Sequence, residues 1–464
     1  MNIENKLSDF LTNISYESIP NDAVSATKSL ILNSISAAFG GSSADGIKEL
    51  TELVNEWGGK TESNIICYHH KVPAPNAAQV NASMIHALDF DDTHSRVMLH
   101  AGAVSIPAAL AIAEMIGGIS GKQFITAITL AVDIGCRMCL VTNTPPDIKD
   151  EGRWLQWHFT SVYGYFVSAA VAGRLLCLDS DKMTNALGLA YHQASGNMQA
   201  LRDGALAKRM GPGFASRGGI VAALMAQKGI SGAKNFIEGK VAFYELYHPK
   251  CYHNIAALTD GLGEHFENSY ICPKPYPCGA VNHPFIDAAI AIRKEYNILP
   301  EDVSEITIYT GEMAQILWQP LESKCNPKST VEMQFSLPWS VATAIAKGRA
   351  SINDYRLDAL NDPIVNSLCR RVKAQVDQHF TREGIEPGKV KIRTTDGREL
   401  TKQVNYPLGS PDTPFSSEDY MRKLKDCNSA SLQPMSDSQL NTLADVIWHL
   451  EELRSVEPLY KLLS

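Results

Sequence analysis

Between Ala103 and Lys228 the chain repeats one pattern: an alanine-rich apolar segment of helical length, a short polar or glycine-bearing turn, and another such segment. The runs fall at about 103–116, 121–141, 158–178, 182–194 and 214–228. Alanine enters a helix at little entropic cost, and small side chains at helix contacts let backbones approach closely, so this region predicts a body of long, tightly packed helices. The ends of the chain extend the scheme. Leu7, Phe10, Leu11 and Ile14 recur at helical spacing, a second segment runs from Val24 to Phe39 and closes on Gly40-Gly41, and Leu440, Leu443, Val446, Ile447 and Leu450 mark a helix over about 439–453. Only Asn64 to Val72 has early strand character; it predicts a short hairpin with His69 and His70 exposed.

Near Tyr270 the composition changes. "ICPKPYPCGAVNHP" concentrates four prolines, and beyond it come a strand candidate, "SEITIYTG", helices over about 330–347 and 363–380, and a hairpin of 389–394 with 399–406 turning at Asp396-Gly397. The expected architecture is therefore mainly α. A large all-helical domain comprises residues 1–268 and 408–464, with a smaller α+β lid domain, 269–407, inserted before the final helices.

A net charge of −8 argues against nucleic acid or an anionic membrane as partner, since both need a clustered positive field. No basic and apolar leader opens the sequence, and no run of about 20 apolar residues lacks polar interruption, so a cytoplasmic location is expected. The ten cysteines have no repeated spacing, and Cys136 and Cys139, a C-x-x-C inside an apolar helix, read as core thiols. No metal-ligand spacing and no glycine-rich phosphate loop is present, so no cofactor and no metal is expected.

Against this apolar background one polar stretch stands out. His86 to Gly102, "HALDFDDTHSRVMLHAG", sets three aspartates, a threonine and three histidines between alanine-rich segments. Buried polar groups are costly unless paired or used, which points to an active site. A helix from Ala77, capped by Asn76, would bring His86, Asp89 and Thr93 to one face if it continued through Phe90. Asp89 and His100 are the leading candidates, with Asp91, Asp92 and His94 shaping the loop. His158 begins an apolar helix in "WHFTSVYGYF". Lys208 and Arg209 directly precede "MGPG" and a helix from Phe214, where cations beside unsatisfied amides would hold a carboxylate. Lys274, Tyr276, Cys278 and His283 fall where the chain leaves the helical body, the usual place for a substrate cleft; Cys278 reads as a packed thiol.

Taken together, "HALDFDDTH", "PAALAIAEMIGGISG", "WHFTSVYGYF", "AKRMGPGFASRGGIVAALMAQKGISG", "KPYPCGAVNHPFIDA" and "EMQFSLPWSVATAI" resemble the MmgE/PrpD family over nearly the whole chain. The resemblance implies a homodimer of two-domain subunits acting on small polycarboxylates without an obligatory metal, as 2-methylcitrate dehydratase, cis-aconitate decarboxylase or iminodisuccinate epimerase. Motif by motif it implies catalytic roles for Asp89, His100, His158, Lys208 and Lys274, with Thr93, Tyr276, His283 and the two lysines binding substrate. His-Ala-Gly stands at 100–102 where the family usually has His-Pro-Gly. Gly279 stands where the decarboxylase branch has a histidine, and Gly211 where a histidine is frequent. The expected reaction is a cofactor-independent dehydration like that of 2-methylcitrate dehydratase. Lys208 and Lys274 would clamp carboxylates, Asp89 and Thr93 would orient the hydroxyl-bearing end, and His100 and His158 would transfer protons. Epimerisation of an imino- or amino-dicarboxylate, decarboxylation of a cis-aconitate type, and simple binding of a polycarboxylate by a helical protein remain alternatives.

Overall fold

The computed structural model describes residues 2–143, 156–249, 251–380 and 385–464. Its centre is the helix Ala74–His86, buried along nearly its whole length and packed between the helices Asn21–Gly41, Gly102–Ile116 and Ala207–Gln227. Pro73 and Pro75 flank its first residue, so it starts earlier than an Asn76 cap predicts; proline is tolerated there because first-turn amides have no helical partner. The alanine-rich runs form the helices Gly102–Ile116, Gly121–Leu140, Phe159–Leu175, Ser180–Gln193 and Ala207–Gln227. Ser120 and Gln123 cap one reciprocally, and Asp179 caps another through the Lys182 amide. Close approach is real: a Cβ on Gly219 would lie 2.6 Å from the Tyr165 carbonyl oxygen, so Phe159–Leu175 and Ala207–Gln227 pack nearly backbone to backbone. Gly121–Leu140 is long and apolar enough to cross a membrane by length and composition, yet 89% of it is buried within the protein, and it carries the Asp133–Arg137 ion pair.

The polar stretch departs from the helix expected through Phe90. The helix stops at His86, and Asp89 takes a left-handed backbone, φ 51°. Asp92–His94 is then extended and pairs antiparallel with Ile271–Pro273, Thr93 opposite Cys272. Asp89 and Thr93 therefore come together through a turn and a strand rather than along one helix face.

The structure is mainly α. The small hairpin Ser63–Ile65 with His70–Val72 forms, leaving His69 and His70 exposed. A four-stranded sheet runs in the order Val372–Val376, Val303–Thr310, Gly388–Thr394, Glu399–Val404, its first pair parallel and the rest antiparallel. With the helices His283–Tyr296 and Leu337–Lys347 it encloses an apolar cluster that includes Phe285, Ile306, Trp339, Val341 and Ile392. Leu424, Leu440, Leu443 and Ile447, from Ser417–Ser429 and Asp437–Trp448, belong instead to the larger cluster of the helical body. Two expected helices are corrected. That over 330–347 breaks at Phe335-Ser336, where the Ser336 hydroxyl accepts from the Trp339 amide and starts a new helix. That over 363–380 ends at Cys369, after which Val372–Val376 joins the sheet as an edge strand.

Candidate active site

Asp89 sits just past the end of the central helix, buried, with its carboxylate held between two ammonium groups. The Lys208 Nζ contacts one oxygen, and the Lys274 Nζ donates to the other at 2.7 Å. Burial pushes the Asp89 carboxyl up, but the two cations outweigh it and hold it well below the usual range. Lys208 arrives from the first turn of Ala207–Gln227, a helix that begins seven residues before the expected Phe214 and takes Pro212 into its second turn. Lys274 follows the strand Ile271–Pro273, and its ammonium also donates to Asp91 Oδ1 at 3.0 Å. Opposed by burial but favoured by Asp89 and Asp91, its pKa is raised, while burial lowers that of Lys208.

Three imidazoles stand beside this charge cluster, and hydrogen bonds orient each through Nδ1. His86 Nδ1 meets Asp91 Oδ2 at 2.6 Å, His100 Nδ1 donates to the Asp92 carbonyl at 2.6 Å, and His158 Nδ1 pairs with Ser161 Oγ at 2.6 Å. A carbonyl can only accept, so neutral His100 carries its proton on Nδ1 and presents a lone pair at Nε2. Ring centroids lie 4.9 Å apart for His86 and His100 and 5.4 Å for His86 and His158. Burial, reinforced by the Lys274 charge, lowers His100 to about 3, and burial with neighbouring positive groups holds His158 well below its ordinary value. Both are unprotonated at neutral pH. Gly211 explains one orientation: a Cβ there would collide with Ser161 Oγ, the partner of His158.

Asp89, Thr93, His100, His158 and Lys208 line a cavity of about 110 Å³. The remaining lining is uncharged among the described residues and includes Phe159, Leu201, Ile316, Leu317 and Phe335, with Phe335 set under the Lys208 ammonium at 4.9 Å. Five of the expected site residues thus meet at one cavity. Three do not line it. Lys274 pairs with Asp89 and Asp91 and stands behind the lining residues rather than among them. Tyr276 donates to Asp287 Oδ1 at 2.6 Å, and His283 donates from Nε2 to the Cys278 carbonyl at 3.3 Å, so their polar groups are already engaged. Cys278 is a buried thiol whose pKa burial pushes to about 12. Arg209 turns away and donates to the Asp45 carbonyl at 2.8 Å.

The aspartates expected to shape the loop divide. Asp92 does so, accepting from the Gly102 amide at 3.1 Å at the start of a helix. Asp91 instead joins Lys274 to His86 and is part of the charge cluster. His86 and Lys423 were not legible as site residues. His86 Nε2 is buried without a hydrogen-bond partner, and its signal was its place three residues before Asp89. Lys423 donates to Asn33 Oδ1, the Phe90 carbonyl and the Lys274 carbonyl at 2.7, 2.6 and 2.8 Å, and burial brings its pKa down to about 7. One nitrogen from each of His86, His100 and His158 lies within 4.8 Å of the others, a spacing that could admit a metal ion.

A lysine paired with Asp89, a pre-oriented neutral imidazole and a small cavity make this the candidate site for acid–base chemistry. The chain belongs to the MmgE/PrpD family: residues 5–252 match the model of the MmgE/PrpD N-terminal domain and residues 276–449 that of the C-terminal domain. It is 26% identical over 484 residues to a cis-aconitate decarboxylase of Aspergillus terreus, covering 100% of this chain and 96% of the relative. The cis-aconitate decarboxylase of Homo sapiens is 25% identical, covering 95% of this chain and 90% of the relative. A mitochondrial 2-methylcitrate dehydratase of Yarrowia lipolytica is 23% identical over 281 residues, 56% of this chain and 52% of the relative.

Proposed function

We propose that the protein is a cofactor-independent lyase that dehydrates a small hydroxy-polycarboxylate. The observation that carries this reading is His100: half-buried at the cavity wall, neutral, and fixed by the Asp92 carbonyl in the tautomer whose Nε2 can accept a proton. The ammonium of Lys208 binds the carboxylate next to the acidic carbon and stabilises the charge that develops as Nε2 takes the proton. The C–O bond then breaks and the hydroxyl leaves as water, protonated by Lys208, whose lowered pKa suits it to donate. Asp89 and Thr93 orient the hydroxyl end, while Lys274 fixes Asp89 and Asp91. The expected lid, 269–407, contains Val281, Ile316, Leu317 and Phe335 of the cavity lining, and we read it as excluding water.

Decarboxylation is the second reading, favoured by the full-length likeness to cis-aconitate decarboxylases. That reaction delivers a proton to the substrate, which Lys208 rather than a neutral His100 would supply. Proton NMR in deuterated buffer with citrate, 2-methylcitrate and cis-aconitate separates the readings. Appearance of a conjugated alkene from the hydroxy acids supports dehydration. CO2 release from cis-aconitate with no alkene from the hydroxy acids replaces it with decarboxylation, and solvent exchange alone replaces it with epimerisation.

A further inference from the structure

Three imidazoles converge where the proposed reaction needs one base. His86, His100 and His158 follow no metal-binding spacing along the chain, and it is the fold that gathers a nitrogen from each within 4.8 Å of the others. Every Nδ1 is already engaged, by the Asp91 carboxylate, the Asp92 carbonyl and the Ser161 hydroxyl, which leaves Nε2 as the free nitrogen of each ring. An ionised carboxylate and a carbonyl only accept, so His86 and His100 carry their protons on Nδ1 and keep lone pairs on Nε2. Ser161 Oγ accepts as readily as it donates, so His158 can adopt the same tautomer. His86 has no part in the proton transfer proposed above, yet it is fully buried and its Nε2 has no hydrogen-bond partner.

A buried acceptor with nothing to accept is costly, and a cation shared by three such acceptors removes the cost. Imidazoles that ligate a metal characteristically donate their other nitrogen to a carboxylate or carbonyl, the arrangement found here at His86 and His100. The neighbouring charges balance: Lys208 pairs with Asp89, and Lys274 with Asp89 and Asp91, two cations against two carboxylates. Ligand nitrogens on tetrahedral zinc stand about 3.3 Å apart for bonds of about 2.0 Å, so the rings need close by no more than about 1.5 Å. We propose that His86, His100 and His158 form a Zn2+ site whose occupation silences the protein. Zinc accepts three Nε2 lone pairs, with no electron transferred, and His100 loses the lone pair that would receive the substrate proton. His100 and His158 border the cavity, which leaves that side open to a fourth ligand. The inhibition rests on the lyase reading above, whereas the metal site does not. Mg2+, which takes oxygen ligands, has no counterpart to this site.

The test starts from the whole chain dialysed against EDTA and titrates it separately with ZnCl2, CoCl2 and MgCl2. Bound metal, the visible absorption of Co2+ and turnover of the hydroxy acids are followed together. Expected are one Zn2+ per chain, a tetrahedral Co2+ spectrum that zinc displaces, and turnover that falls in proportion to zinc occupancy and returns with EDTA. MgCl2 is expected to change nothing. His86→Gln and His158→Gln, checked for folding by circular dichroism, are each expected to weaken zinc binding by at least about 100-fold. No zinc binding, an octahedral Co2+ spectrum, or binding undiminished in both variants overturns the site and leaves the lyase reading standing. Zinc held at these histidines with turnover intact, or turnover that requires the metal, overturns the inhibition. No turnover of any hydroxy acid by the metal-free protein overturns the lyase reading and the inhibition with it, while the Co2+ spectrum of the unmutated chain still decides the site.

Discussion

His94 and His100 belong to the same polar stretch, one buried and one half-buried; the partners of His94 line one opening, and His100 itself lines another. His94 is saturated: Nδ1 accepts from the Arg96 amide at 3.2 Å and Nε2 donates to Glu267 at 3.1 Å. Arg96 and Glu267 in turn pair with each other at the edge of a cleft of about 840 Å³, where Arg137 is likewise consumed by Asp133 and four carbonyl groups. His100 lines a cavity of about 110 Å³, and its Nε2 is left open. The larger cleft thus holds cations that are already answered, and the smaller cavity holds a base with nothing yet to accept. Size alone would select the larger opening; unspent hydrogen-bonding capacity selects the smaller as the candidate site.

This contrast can be broken by mutation. His100→Asn is expected to lower turnover of the proposed substrate by 10²–10⁴-fold with folding retained, while Arg96→Ala changes it less than about threefold. Equal effects in steady-state assays would erase the distinction. Next is stability. Lys274→Met leaves Asp89 and Asp91 buried with one fewer cation and is expected to cost about 3–5 kcal/mol in denaturant unfolding, against about 0–1 kcal/mol for Arg96→Ala at its half-exposed pair. Gly211→Ala, which pushes Ser161 off His158, is expected to reduce kcat about 10- to 100-fold with little change in KM. The pH profile sharpens the comparison further. Because burial and Lys274 hold His100 at about 3, the base is unprotonated throughout the neutral range, and its protonation limb appears only as pH falls toward that value. A limb centred near 6.5 would mean that His100 titrates like an exposed histidine. The smallest expected effect is that of a chelator: dialysis against EDTA leaves kcat unchanged if the three imidazoles move protons, and abolishes it if they hold a metal.

Much of the helical body was legible because alanine-rich runs and glycine turns act locally, and the order of helices from Gly102 to Gln227 follows that pattern. Asp89, Thr93, His100, His158 and Lys208 were legible as polar groups in the wrong company. What escaped the sequence depends on distant partners. Asp89 is not a glycine, and nothing beside it announces a left-handed turn; two cations far along the chain hold it there. Val372–Val376 buries only Val372, so its strand exists because Val303–Thr310 offers an edge. Lys423 sits among other charged residues in "YMRKLKDC", and only folding carries it onto the carbonyls of Phe90 and Lys274. The charge of Lys274 was legible, but its pairing with Asp89 and Asp91 was not.

That last lysine has a consequence for assembly. Lys423 lies 390 residues from Asn33 and 149 from Lys274, the groups it joins. During synthesis the first helices emerge and pack long before this tether exists, since domains fold progressively as the chain appears. The backbone that carries Lys274 is pinned only when the Ser417–Ser429 helix arrives. The candidate pocket is therefore completed late, by a helix made well after the residues that line it.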